Sequence, residues 1–354
     1  MNGDREADAT VSAQTRGRPL RRKILGRSLG LAVGAFGLYF VWPRLLDVFS
    51  SWPGLRDVNP AWFGVLAVLE AGSFFCAWAL IRLALQRRGW FRVATSQLAG
   101  NAVSRIVPGG AAAGGALQYR MLVNSGVDGA KVAAGLTAAS LISTGTLFAL
   151  PVLAVPAMLW GAPVAHELKR AALVGLGLFA LMAAVGALLI TTDRPLVLVG
   201  EGIQRLMNRM KRGREPTTDL PKRLVRERDL VQDVLGSRWW LALLAAVGNW
   251  AFDFLALLAA LVAVGTRPRP SLVLLAYVVA AVLGMIPITP GGLGFVEAGL
   301  AATLVLAGVS AGDAAVATLA YRLVSYWLPL PAGLVGYLLY RRAYGEPAVQ
   351  RPTG

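Results

Sequence analysis

The chain has 354 residues, is 56% apolar and carries 35 Lys or Arg against 19 Asp or Glu, for a formal net charge of +16. Together with a mean hydropathy of +0.58, this excludes an ordinary soluble domain and points to a polytopic membrane protein. The basic residues cluster at the ends of apolar runs, where they set topology and meet anionic lipid, so no nucleic-acid partner is expected.

A lone cysteine, Cys76, rules out an internal disulfide and a thiolate metal cluster, and a lone histidine, His166, rules out a two-histidine zinc helix. No P-loop occurs, and a Ser-His-Asp triad would have to use His166, which lies in a short loop. We therefore expect no metal, no cofactor and no ATPase of the chain's own.

Residues 1–23 are polar and end in Arg21, Arg22 and Lys23, which predicts a disordered cytoplasmic segment. A first span over about 24–42 reads as an uncleaved anchor. A second, over about 61–85, ends in an arginine cluster that places its far end in the cytoplasm. Residues 91–125 form an irregular unit, with two apolar arms flanking Pro108, Gly109 and Gly110. Each arm reaches roughly 25 Å as helix, short for a hydrocarbon core near 30 Å. A re-entrant hairpin is expected, with two short tilted spans as the alternative. A third span over about 132–160, kinked at Pro151 and Pro156, and a fourth over about 171–190 follow.

Residues 191–238 are a polar loop whose eleven basic residues outnumber seven acidic ones, so it is expected on the cytoplasmic side. A fifth span over about 239–264 leads into a second irregular unit, residues 271–310, built around Pro290, Gly291, Gly292 and Gly294. A last span over about 314–340 precedes a polar tail, 343–354. The fold class is thus an all-α polytopic membrane protein with six full spans, two hairpins and both termini cytoplasmic. Its transmembrane domain covers residues 24–342.

The two irregular units superpose in sequence. Pro108-Gly109-Gly110 matches Pro290-Gly291-Gly292, and Gly126-Val127 matches Gly308-Val309 at the same offset. That offset lays the half at about 61–160 on the half at about 239–340. Because the second and fifth spans run in opposite directions, the repeat would be inverted, as in alternating-access transporters with a midplane site.

Charged and polar residues inside apolar segments are the candidate site, since each is costly there unless paired or functional. Arg105 and Arg120 flank the first break and suit a phosphate through their planar forks; headgroup contacts at a hairpin mouth are the bland alternative. Asn101 lies one turn before Arg105. Glu297 follows the second break and could couple to protons, salt-bridge Arg322, or do both. Glu70 and Asp253 lie midway in the second and fifth spans and could couple transport or pair with an arginine. Asn249, Tyr321, Tyr326 and Trp327 read as packing or helix–helix contacts.

The run Pro290-Gly291-Gly292-Leu293-Gly294 through Glu297-Ala298, with Tyr321-Arg322-Leu323 and Tyr326-Trp327-Leu328-Pro329, resembles the flippase-like transmembrane domain of the lysylphosphatidylglycerol synthase family. Asn101, Arg105, Pro108 and Gly110 through Arg120 look like that family's other signature. The resemblance covers about residues 60–342. It implies an inner-membrane protein that binds or flips an anionic or glycosylated lipid, with an enzyme that synthesises the lipid as candidate partner. It carries over no synthase activity, because the soluble acyltransferase-like domain is not expected here. An acidic residue that some relatives carry after the first break is missing from 111–115, which weakens a paired-carboxylate mechanism. The alternatives are a polyprenyl-dependent glycosyltransferase, a small-solute transporter or a partner subunit without activity of its own.

Overall fold

A computed structural model describes residues 58–86, 89–107, 110–154, 239–286 and 289–346, with scattered positions between 170 and 238. Every regular element in these residues is helical. The helices are α1 (Ala61–Ala84), α2 (Trp90–Ile106), α3 (Gly110–Asn124), α4 (Gly129–Ala149), α5 (Trp239–Ala263), α6 (Pro270–Met285), α7 (Phe295–Leu306), α8 (Ala311–Arg322) and α9 (Pro329–Tyr344). Among the described residues, Ala61–Ala84, Gly129–Val152, Trp239–Ala263 and Ala311–Tyr344 are long and apolar enough to cross a membrane. The expected span at 24–42, the segment 1–23 and most of the tail lie outside the described residues. The fourth span and the loop 191–238 are described only at scattered positions.

The long helices keep their polar residues, such as Glu70 and Ser73, inside and turn apolar side chains outward, as lipid requires of a helix on the outside of a bundle. Val68 and Phe75 of α1 and Leu244 of α5 stand exposed on that outer side. The short helices form two hairpins. In the first, α2 and α3 run antiparallel and nearly touch, with Gly100 against Gly114 and Ser104 against Gly110. In the second, α6 and α7 do the same, with Leu283 against Gly299 and Gly284 against Val296. At 12 residues, α7 is roughly 18 Å long and too short to span.

The last span differs from the plain helix expected. Between α8 and α9 the chain widens into a π-helical turn, Leu323–Trp327. Pro329 has no N–H to give the Ser325 carbonyl, so the ladder slips and Leu328 N–H reaches Leu323 O at 3.2 Å instead. In the third span α4 passes into a 3-10 turn, Leu150–Ala154, at Pro151, one of the two expected kink positions; the other, Pro156, lies outside the described residues.

The repeat is written into the helix caps. Val127 N–H bonds Leu122 O at 3.2 Å, and Val309 N–H bonds Leu304 O at 3.1 Å. Gly126 and Gly308 close these turns with φ of 88° and 95°, which is the Schellman ending. Next, Asp128 caps α4 through Lys131 N–H, and Ser310 caps α8 through Asp313 N–H. Each pair stands 182 positions apart.

The halves are inverted. Along α1 and α5, Gly72 meets Phe252, Ser73 meets Asn249, and Cys76 meets Gly248. Rising numbers on one helix meet falling numbers on the other, so the two run antiparallel. Under the repeat, the position that meets its own counterpart falls at Glu70–Ala71 and Phe252–Asp253. Both interior carboxylates therefore sit at the axis relating the halves.

Candidate functional site

The two hairpin tips meet beside that axis, and each helix break supplies groups that another break consumes. A helix end leaves its last carbonyls without intrahelical donors, and lipid offers none. Arg105, in the last turn of α2, donates from Nη1 to the Ser325 carbonyl freed by Pro329, at 2.7 Å. Its Nε donates to Asn101 Oδ1 at 2.6 Å. The carbonyl of Arg105 accepts from the Tyr326 hydroxyl at 2.9 Å.

The second tip is tied in the same way. Pro290–Gly292 form a 3-10 turn in which Gly291 has φ 59°. A Cβ there would stand 2.4 Å from Tyr326 Oη and 2.9 Å from Arg105 O, so glycine admits both the turn and the contact with the first tip. Glu297 accepts from Gly294 N–H at 2.6 Å, capping its own helix, and from Arg322 Nε at 2.8 Å. Arg322 also reaches Gly291 O at 3.4 Å. The two arginines converge on one ring: the guanidinium carbons of Arg105 and Arg322 lie 5.0 Å and 4.5 Å from the centre of Tyr326, a cation–π arrangement on both counts.

Behind the tips lies a cavity of about 710 Å³. Its charged wall is Glu70, Arg105, Asp253 and Arg322; its apolar wall includes Met285, Ile286 and Leu300. Asp253 accepts from the hydroxyls of both Tyr277 and Tyr321, the latter at 3.0 Å to each oxygen. Glu70 is 5% exposed, and its Oε1 has no hydrogen-bond partner among the described residues. Ser73 and Asn249 cross-link α1 and α5 at the same level, with Asn249 Nδ2 2.7 Å from Ser73 Oγ.

Of the expected site residues, the structure brings together Asn101, Arg105, Glu297, Arg322, Glu70 and Asp253, with the breaks at Gly110, Gly291, Gly292 and Gly294. Pro108 and Gly109 lie outside the described residues, as does the side chain of Pro290. Arg120 is not with Arg105. It is exposed, and ten residues of helix, roughly 15 Å, separate it from the tip end of α3. Glu70 and Asp253 make no ion pair with an arginine among the described residues: the arginines are engaged by carbonyls and Glu297 instead.

Three tyrosines are the residues that sequence reasoning undervalued. Tyr321 and Tyr326 read as packing, and Tyr277 was not singled out. Yet a hydroxyl within a run such as Leu274-Leu275-Ala276-Tyr277-Val278-Val279 must find a partner, and an interior carboxylate is what it finds.

The sequence profile described as the lysylphosphatidylglycerol synthase TM region matches residues 27–333. A UPF0104 membrane protein from Methanothermobacter thermautotrophicus is 32% identical over 95 residues, which is 27% of this chain and 27% of that protein. The chain thus spans about a quarter of this relative. The profile match takes in both hairpins, the first half of the repeat, most of the second and every residue lining the cavity, and on that breadth the chain belongs to the family of the lysylphosphatidylglycerol synthase transmembrane region.

Proposed function

We propose that this protein carries an anionic or glycosylated lipid between leaflets of the cytoplasmic membrane by alternating access. The observation that carries this reading is the cavity: it lies where two inverted halves and two helix breaks meet, with a charged wall and an apolar one. Its volume suits a headgroup and not a whole lipid, so acyl chains stay in the bilayer while the headgroup crosses. Arg105, oriented by Asn101, and Arg322 hold the headgroup phosphate through guanidinium forks. The Glu297–Arg322 pair ties the second tip to α8, the Tyr326 hydroxyl bond to Arg105 O ties the first tip to the π-helical turn that follows, and both yield when the halves rock. The protein makes and breaks no covalent bond in this scheme. An enzyme that synthesises the lipid is its natural partner, and both termini face the cytoplasm.

The test is reconstitution of the purified chain into vesicles containing a fluorescent anionic lipid, with leaflet exchange followed by quencher access. Exchange faster than in empty vesicles, and slowed at least about tenfold in Arg105→Ala, is expected from loss of a charge-assisted contact. Exchange no faster than in empty vesicles, or full activity in that variant, overturns the reading. Lipid mass spectrometry of a deletion strain separates a carrier from a lipid-modifying enzyme, because loss of an enzyme removes a species and loss of a carrier relocates it.

A further inference from the structure

The cavity holds one arrangement that binding a lipid phosphate does not use. Glu70 and Asp253 come from the two antiparallel long helices and face one another at the axis relating the halves. Five charged or titratable side chains surround Glu70 from the elements packed there: Asp253 on α5, Arg105 on α2, Arg322 and Tyr321 on α8, and Tyr277 on α6. Neither arginine forms an ion pair with either carboxyl among the described residues. Arg105 donates to Asn101 and the Ser325 carbonyl, and Arg322 to Glu297 and the Gly291 carbonyl.

The two carboxyls are also unequally served. Asp253 receives both tyrosine hydroxyls. Among the described residues, Glu70 keeps a buried oxygen with no donor, and Ser325 Oγ, also on the cavity wall and 7% exposed, is equally unpartnered. An unmatched carboxyl oxygen in a membrane interior is costly. A hydrogen on one carboxyl would supply the missing donor and remove one of two facing charges in a single event.

Resting on the carrier reading above, we infer that Glu70 and Asp253 hold one exchangeable proton that drives the transport cycle, and that Glu297 does not. Glu297 is closed on both oxygens by Gly294 N–H and Arg322, so it serves as a strut of the second tip. A site on the symmetry axis faces one side in one state and the opposite side in the other, because the axis exchanges the halves. A proton bound from one side is then released to the other, and no other chemical step is involved.

Two experiments test this. The first needs no lipid: infrared difference spectra of the purified protein across a pH titration should show a protonated-carboxyl band that disappears in both Glu70→Gln and Asp253→Asn and persists in Glu297→Gln. A missing band, or one lost only in Glu297→Gln, overturns the inference. The second applies a pH gradient across the reconstituted vesicles. One coupled proton shifts the leaflet distribution up to about tenfold per pH unit, since one unit is about 1.36 kcal/mol. Collapse of the gradient by a protonophore abolishes the shift. Exchange that ignores the pH gradient, or follows a sodium gradient instead, overturns the proton while leaving the carrier standing. Absence of exchange alongside an intact carboxyl band would sink the carrier and leave the proton site.

Discussion

The two hairpins share a plan and differ in how they are closed and what they contribute. The first shuts by close approach: α2 and α3 come so near that a Cβ on Gly114 would lie 2.2 Å from Gly100 O. Its break presents a cation, Arg105. The second shuts through its turn, with Gly291 at φ 59°, and presents an anion, Glu297. Duplication therefore conserved the caps at the hairpin bases, Asp128 and Ser310, and let the tips diverge. The bases only end helices. The tips are held by different partners, Arg105 by Asn101 and the Ser325 carbonyl, and Glu297 by Gly294 N–H and Arg322.

The largest effect is expected from Gly114→Ala. The clash is with backbone, and a backbone oxygen held in a helix ladder cannot step aside as a side-chain tip can. The first hairpin should splay, at a cost of about 4 kcal/mol, visible as a large fall in thermal midpoint in detergent. Gly291→Ala ranks next, at about 3 kcal/mol: a left-handed turn costs about 1–2 kcal/mol for any L side chain, and the Tyr326 hydroxyl must also move. A ranking reversed in thermal melts would mean that the turn, and not the interhelix contact, is the tighter constraint.

Glu297→Gln asks whether the second tip needs its charge. Glutamine still accepts from Gly294 N–H, but Arg322 loses its counter-ion. The pair is largely buried, with side-chain exposures of 13% for Arg322 and 20% for Glu297. An uncompensated arginine there should cost about 2 kcal/mol, less than for a fully buried pair. Melts that place this variant level with the parent would reduce Glu297 to a helix cap.

These contrasts explain what the sequence could disclose. The proline–glycine breaks, the 182-residue offset and the antiparallel halves were legible because caps and turns are local. The Glu297–Arg322 pair was legible as one alternative because both charges stand in otherwise apolar segments. The rest depended on distance along the chain. Arg105 meets a carbonyl 220 positions away, and that carbonyl is free only because Pro329 stands four residues further on. No composition window contains that pairing. Likewise, Tyr277 and Asp253 meet only because α5, α6 and α8 pack together.

Arg120 marks the same limit from the other side and should give the smallest effect. It and Arg105 look alike in sequence, each beside the first break. Helical rise puts Arg105 at the tip and carries Arg120 to the opposite end of the hairpin, where its exposed side chain meets headgroups or water. Arg120→Ala should leave the melt within about 0.5 kcal/mol of the parent, as for a surface change, and leave leaflet exchange at the parent rate while Arg105→Ala loses it. Equal losses in both variants would mean that the headgroup path runs the length of the hairpin's outer face. The tips would then be a constriction along that path and not the place where the phosphate is held.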